Sequence, residues 1–286
     1  MSAIAVIVVN FNAGHHLEAC VESAAADLGV RDWEIIVVDN ASSDHSADRV
    51  ALQPRLRLVR NAENRGFGAA VNQAAAMTAA PLLFLLNPDC VVRSGTLARL
   101  ETTLVQHRDC AVAAPMLLNA DGSVQASARR APTMWTGLFG RHSLLARWFP
   151  RSGLARRELR SRDLAETGAE STPVDWVMGA AMLIRRGAFD EAGGFDEHYF
   201  LYWEDADLCR RLQMRGWSTR YVPSAKVSHP GGVSAGTRPA FATRAFHRSA
   251  YRYYRTHIAP SPLNPMRWFA KAALAVRAEW RAARGR

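Results

Sequence analysis

Three runs near the start of the chain, AIAVIVV (3–9), WEIIVVD (33–39) and LLFLL (82–86), are apolar at nearly every position. A strand buries both of its faces only where helices cover both sides of the sheet. Between the first two runs, Leu17, Cys20, Val21, Ala24 and Leu28 recur at helical spacing. A shorter strand at 56–60 (LRLVR), an alanine-rich helix at 66–80 and a fifth strand at 110–115 (CAVAAP) continue the alternation. The pattern predicts an α/β fold, a mostly parallel sheet flanked by helices. Such sheets bind ligands at the carboxyl ends of their strands. Asn10, Asp39 and Asp89 each fall at such an end.

The chain has 286 residues, enough for one large α/β domain or two small ones. No run of 18 apolar residues occurs, so no spanning helix is expected. The start, MSAIAVIVVNFN, reads as a first strand and not as a signal peptide. Four scattered cysteines (Cys20, Cys90, Cys110, Cys209) suit free thiols in a reducing cytosol. The net charge of +10 is carried almost wholly by arginine, since Lys226 and Lys271 are the only lysines. Such a balance points to an anionic partner: nucleic acid, nucleotide or membrane surface. Nucleic acid is not expected, because no binding motif is present and the basic residues cluster away from the strand ends.

The turn after the first strand, VNFNAGHHLEAC, holds only Gly14, so the dinucleotide GxGxxG signature is missing, as is a Walker loop. A diphosphate held without either generally needs a divalent cation, and Mg²⁺ takes one or two carboxylates plus phosphate oxygens. Asp89 can supply one. It can equally close the turn after Pro88 or cap a helix starting near Ser94.

From about residue 116 the pattern changes. NADGSV (119–124) signals a turn, and 138–163 is rich in arginine with Phe139, Trp148 and Phe149. VDWVMGAAMLIRR (174–186) reads as a strand broken by Gly179, and 204–215 as a helix with Glu204, Asp205 and Asp207 crowding its first turn. A helix dipole alone accounts for such acids, and Asp207 has an i,i+4 partner in Arg211. Two short strands are expected in 218–229 and a loop in 230–239. The tail, 241–286, reads as helical. There Trp268, Phe269, Ala272, Ala273, Val276 and Trp280 share a face, with Glu279 among them, opposite Arg267, Lys271, Arg277, Arg281 and Arg284. This is the pattern of a helix lying on anionic lipid.

VVNFN (8–12), VVDNASSD (37–44), NRGFGAAVN (64–72), LNPDC (86–90) and GGFDEHYFLYWEDADLCRR (193–211) follow one another in this order. Together they resemble the family 2 inverting glycosyltransferases of the GT-A fold. The similarity is greatest to bacterial rhamnosyltransferases that act on lipid-linked sugars in cell-envelope polysaccharide assembly. It spans roughly residues 3–235. The resemblance implies a nucleotide-sugar-binding half (1–115), an acceptor-binding and catalytic half of the same domain (116–240) and a basic helical tail (241–286).

The resemblance also implies roles for individual residues. Asp39 would bind the pyrimidine of a dTDP- or UDP-sugar, with Asn10 and Phe11 around the base. Asn64, Gly66, Gly68 and Asn72 would line the sugar and diphosphate, although Asn72 reads equally well as a surface residue. Asp89 and His229 would hold Mg²⁺ or Mn²⁺. Asn87 would occupy the first acid position of the DxD pattern, its neutral amide making metal binding conditional on the donor. Gly231, Gly232 and Gly236 would let the following loop close. Asp205 would be the catalytic base with Glu204 beside it, and Trp176, Gly179, Tyr202 and Trp203 would line the acceptor site, the tryptophans reading equally as core. The expected reaction transfers rhamnose from dTDP-rhamnose to a polyprenyl-diphosphate-linked acceptor at the cytoplasmic face of the membrane. A UDP-sugar donor or a non-catalytic sugar-nucleotide-binding protein are the alternatives.

Overall fold

The structure, a computed structural model, describes residues 3–50, 55–132, 169–231, 236 and 239–284. The arginine-rich stretch at 138–163 and Gly232 lie outside the described residues. The first part of the chain alternates as the apolar runs require: β1 (Ile4–Asn10), α1 (His16–Leu28), β2 (Trp33–Asp39), β3 (Leu56–Arg60), α2 (Phe67–Ala75), β4 (Leu82–Leu86), the short β5 (Val91–Val92), α3 (Thr96–Gln106) and β6 (Cys110–Leu118). There follow β7 (Ala128–Arg129), β8 (Thr172–Val174), β9 (Trp176–Val177), β10 (Ala181–Arg185), α4 (Arg186–Glu191), α5 (Glu204–Gln213) and β11 (Ser218–Ser228). The tail forms α6 (Pro239–Tyr253), a π-helical turn (Tyr254–Ile258) and α7 (Pro265–Arg284).

The sheet runs β3-β2-β1-β4-β10-β6-β11-β5, with β8 added on β11. β3, β2, β1 and β4 are parallel, as are β6 and β11. β10 lies antiparallel between β4 and β6. Thus β6 does not follow β4 directly in the sheet, and a strand from the middle of the chain separates them. Side chains alternate across the strands. Ile4, Val6 and Val8 of β1 face α1 and α3 through Leu17, Val21, Leu97 and Leu100. Ala5, Ile7 and Val9 join a second cluster with Val71 of α2, Phe189 of α4 and Leu208 of α5. Each fully buried side chain of this size contributes roughly 1.5–3 kcal/mol, so double-sided burial holds the strands in register.

Three local expectations change. The stretch 218–228 is one strand and not two, with a register irregularity between Val222 and Lys226 in its pairing with β6. α2 ends at Ala75, short of residue 80, because the Arg186 side chain takes the Ala75 and Thr78 carbonyls. α3 is capped by Asp27 of α1, whose oxygens accept the Gly95 and Leu97 N–H groups, so Asp89 is released from the capping role.

In α7 the buried stripe is Ala270, Leu274, Ala278 and Ala282, which packs against α6. Trp268, Phe269, Val276 and Trp280 stay exposed on the outer side. Arg267, Arg277 and Arg281 are half-buried, so the basic side is not the solvent side. Glu279, out of place in an apolar face, reaches Arg244 of α6 through paired hydrogen bonds of 2.8 and 2.7 Å. Among the described residues no helix is long and apolar enough to cross a membrane.

The start of α2 abuts the segment leading into α5. Phe67 N–H donates to the Phe200 carbonyl at 3.0 Å, and a Cβ on Gly66 (φ +86°) would sit 2.6 Å from that same oxygen. Gly66→Ala is therefore expected to destabilise the chain by roughly 1–3 kcal/mol, the usual cost of a side chain in that backbone region. Urea unfolding should show a lower midpoint at unchanged slope; an unaltered midpoint would contradict the close approach.

Candidate active site

β1 and β2 pair in parallel so that Asn10 lies opposite Asp39 at their carboxyl ends. Both are buried. Asn10 Nδ2 donates to Asp39 Oδ1 at 2.8 Å and to Ser46 Oγ at 2.8 Å. Asn10 thus acts as a strut that orients the Asp39 carboxylate. The loops leaving the two strands are laced together: Asn12 N–H donates to Ser42 Oγ, Ser43 N–H to Asn12 Oδ1 and Gly14 N–H to Asp44 Oδ2. Asp44 Oδ1 also accepts the Ser46 N–H, two residues on, at the start of a 3₁₀ turn. Phe11 is half-buried beside this loop.

Asn40 was not singled out in the sequence, yet it organises the next segment. Its Nδ2 donates to Asn64 Oδ1 and to the Gly66 carbonyl, and its Oδ1 accepts the Arg65 N–H. Asn64 Oδ1 in turn accepts the Gly66 N–H. Asn72 clamps the other side of α2: its Nδ2 donates to the Phe195 carbonyl and its Oδ1 accepts the Phe195 N–H, both at 2.9 Å. A Cβ on Gly68 would meet Phe195 Cβ at 3.0 Å. The close approaches that Gly66 and Gly68 permit are therefore to the 195–200 segment of the chain itself. Asn72 is a structural clamp there.

At the end of β4, Asp89 and His229 are both buried, with His229 Nε2 3.4 Å from Asp89 Oδ1. Asn87 Nδ2 lies 3.4 Å from the same nitrogen. His229 Nδ1 meets Gln125 Oε1 at 2.8 Å, and Gln125 Nε2 donates to Asn119 Oδ1. An amide oxygen only accepts, so Nδ1 carries a proton and Nε2 is the atom turned to Asp89. Gln125, on the far arm of the 119–124 turn, is a second residue the sequence did not reveal; only the fold brings it to His229.

Burial works against the Asp89 carboxylate, but the hydrogen bond and charge of His229 outweigh it and hold its pKa below the ordinary value. Asp89, Cys90 and His229 present ligand atoms within 4.8 Å of one another. Burial pushes the Cys90 thiol well above its usual range, and its Sγ donates to the Ala180 carbonyl, so the hard-ligand pair is Asp89 and His229. An imidazole nitrogen and a carboxylate, spaced wider than a charge-assisted hydrogen bond, fit a divalent cation.

The second acid pair begins α5. Asp205 Oδ2 accepts the Gly179 N–H at 2.9 Å and Oδ1 the Ala206 N–H at 2.7 Å. Burial raises the Asp205 pKa, while these two N–H groups and the charge of Arg129 oppose the rise. Glu204 is also buried, its Oε2 has no hydrogen-bond partner, and burial followed by the Asp205 charge pushes its pKa well up. Burial thus raises both acids, and the rise is opposed at Asp205 by two N–H donors and the charge of Arg129, while Glu204 Oε2 has no such donor. A Cβ on Gly179 would lie 3.4 Å from Asp205 Cβ, so the glycine makes room for the acid. One residue on, the Ala180 carbonyl accepts the Asn87 N–H at 2.8 Å. The turn before β10 thus fastens both Asp205 and the backbone of Asn87.

Tyr202 and Trp203, just before these acids, both have φ near +70°, at a cost on the order of 1–3 kcal/mol each. The tail holds them there: Phe246 lies against both rings and Tyr253 against Trp203. Trp203 is thus engaged with the tail, while Trp176 is half-buried and hydrogen-bonded to the Arg130 carbonyl. Asp207 does pair with Arg211 at 2.7 Å, and it also meets His257 of the π-helical turn at 2.6 Å.

The Glu204 reading has a pH signature. A carboxyl with a raised folded-state pKa contributes no penalty below the ordinary carboxylate range. Stability is lost as pH rises through the folded value. Glu204→Gln removes that group, so its melting temperature relative to the parent should climb from pH 5 to pH 9. A pH-independent difference would contradict a protonated Glu204.

Comparison with known proteins places this site in a family. Residues 5–193 match glycosyl transferase family 2, and residues 138–277 match glycosyl transferase family group 2. The chain is 32% identical over 285 residues to an N-acetylglucosaminyl-diphospho-decaprenol L-rhamnosyltransferase of Mycobacterium tuberculosis, covering 95% of this chain and 90% of the relative. It is 39% identical over 85 residues to rhamnosyltransferase WbbL of Escherichia coli K12, covering 29% of this chain and 31% of the relative. Among solved structures, GalNAc-T7 with UDP, GalNAc and Mn²⁺ matches with a TM-score of 0.62 at 18% identity, over 98% of this chain and 55% of that one. The mannosyltransferase PcManGT from Pyrobaculum calidifontis, in complex with GDP-Man and Mn²⁺, matches at 0.60 and 17% identity, over 97% and 71%. At such identities the structures speak for the fold alone. The chain belongs to glycosyl transferase family 2 and is a glycosyltransferase of the GT-A fold.

Proposed function

We propose that this glycosyltransferase moves rhamnose from dTDP-rhamnose, with inversion, to a polyprenyl-diphosphate-linked saccharide in cell-envelope polysaccharide synthesis. The observation that carries the reading is that one turn, Gly179–Ala180, holds both Asp205 and the backbone of Asn87, whose side chain lies beside the Asp89–His229 pair. Donor and acceptor classes are taken from the end-to-end similarity to the mycobacterial rhamnosyltransferase.

Asp39, with Oδ1 held by Asn10, accepts the imide N–H of thymine through Oδ2. Asp205 takes the proton of the acceptor hydroxyl as that oxygen attacks the anomeric carbon from the face opposite the nucleotide. The bond to the diphosphate breaks, and the nucleotide diphosphate leaves. Asp89 and His229 would hold Mg²⁺ or Mn²⁺, which would supply positive charge to the departing diphosphate. Asn87 adds no charge to this site, so the cation binds well only with the donor present. Glu204, protonated, shapes the acceptor side beside Asp205.

Asp205→Asn is expected to lower kcat by roughly 10²–10⁴-fold with the donor KM little changed; activity within a few-fold of the parent would remove Asp205 as base. Asp39 would bind uracil as readily as thymine, so a donor screen decides the sugar. Nucleotide release should be fastest from dTDP-rhamnose, stop on chelation and return with Mn²⁺. Faster release from a UDP-sugar would overturn the donor.

The outward face of α7, with Trp268, Phe269, Val276 and Trp280 exposed, supports seating on the anionic inner surface of the cell membrane. Replacing Trp268, Phe269 and Trp280 together with serine touches none of the residues packed against α6. It should abolish co-sedimentation with vesicles containing anionic lipid. Unchanged co-sedimentation would sink the membrane assignment.

A further inference from the structure

β7 and β9 form a small ladder outside the main sheet, with Arg129 directly opposite Trp176. The Arg129 guanidinium lies over the Trp176 ring, 5.1 Å from its centroid, and its Nε donates to the Ala126 carbonyl. Trp176 Nε1 donates to the Arg130 carbonyl at 2.9 Å, and Ala131 N–H to Asp175 Oδ2 at 2.7 Å. These bonds hold 129–131 against 175–176. Arg129 also acts electrostatically on Asp205, favouring its charged form.

Arg129 and Arg130, with Pro173, Val174 and Asp175, line a cavity of about 270 Å³. Pockets that enclose a whole small molecule run to roughly 300–1,000 Å³, so this one suits a compact group. A stacked guanidinium spends its flat face on the ring, while its N–H edge has the geometry for a phosphate. Two adjacent arginines at one cavity select an anion.

We propose that this cavity binds the diphosphate of the lipid-linked acceptor, with Arg129 and Arg130 as its counter-charges. The inference rests on the acceptor class proposed above. An acceptor sugar whose hydroxyl faces Asp205 carries its own diphosphate on the same ring. That diphosphate needs cationic partners near Asp205 and apart from Asp89, where the donor's diphosphate is placed. Arg129, which reaches Asp205 electrostatically, lies on the Trp176–Gly179 side of the site.

Donor and acceptor diphosphates share one chemistry, so the probe is farnesyl diphosphate added to the full chain already saturated with dTDP and Mn²⁺. Calorimetry should show it binding under these conditions. Arg129→Gln and Arg130→Gln should each weaken it at least tenfold while dTDP affinity stays at the parent value, which also certifies folding. Absence of binding to the parent, displacement of the probe by dTDP, or variants that bind it as the parent does would each overturn the proposal.

Turnover supplies a second arm. The preference for a diphosphate-linked acceptor over a neutral alkyl glycoside of the same sugar should fall at least tenfold in Arg129→Gln. An equal loss on both acceptors would mark Arg129 as a tuner of Asp205 and overturn the assignment. Failure to glycosylate any lipid-linked acceptor would sink the proposed function, and the binding arm would still decide the diphosphate site.

Discussion

Two consecutive residues, Gly179 and Ala180, hold the two chemical halves of this protein together through their backbone groups. The Gly179 N–H grips Asp205, and the Ala180 carbonyl grips the backbone of Asn87. The turn can do this because β10 enters the sheet antiparallel between β4 and β6. Its first residue then pairs with Leu86, the last of β4, and the turn before it lies over the β4 end. A Cβ at 179 would already be in van der Waals contact with Asp205, so a larger side chain has little room there. The spacing between the Asp89–His229 pair and Asp205 is therefore set through backbone, the least deformable part of the structure.

Burial sets the charge state of the site. Glu204 and Asp205 are neighbours in a helix N-terminus, and sequence alone makes them equivalent. In the fold, both oxygens of Asp205 accept backbone N–H groups, whereas Glu204 Oε2 accepts nothing. A carboxylate is stabilised by donors and penalised by dry surroundings, so burial raises both acids while only Asp205 has donors that oppose the rise. The tail contributes as well. Phe246 and Tyr253 brace the left-handed turn at Tyr202–Trp203 that delivers both acids. The aromatic pair read as acceptor-stacking or core is thus divided: Trp203 is engaged by the tail, and Trp176 lies under Arg129.

Much of this was legible before folding. Double-sided apolar strands announced the parallel sheet, and strand-end polarity placed Asn10, Asp39 and Asp89 on one edge. The residues that went unnoticed, Asn40 and Gln125, carry no chemistry of their own. They matter only through the groups they orient, Asn64–Gly66 and His229, and such roles leave no periodic or motif signal. Glycines 66 and 68, read as lining the sugar and diphosphate, also admit the chain's own segment. A glycine marks a close approach, yet nothing in the sequence says whether a ligand or the chain's own Phe195–Phe200 segment approaches.

The tail shows the same division. Its helical spacing and its aromatic stripe were readable from residue order, because helix periodicity is a local property. Which stripe turns inward was not: Ala270, Ala278 and Ala282 around Leu274 make a weaker hydrophobic signal than the aromatics, yet they let α7 lie close on α6 and leave the aromatics outside. Local order thus sufficed for element type, strand-end chemistry and the identities of the acids. Long-range pairing alone set β10 between β4 and β6, brought Gln125 to His229, and gave Asp205 the Gly179 N–H while leaving Glu204 Oε2 without a partner. Burial and hydrogen-bond geometry depend on which distant segments meet, and no short stretch of sequence encodes that.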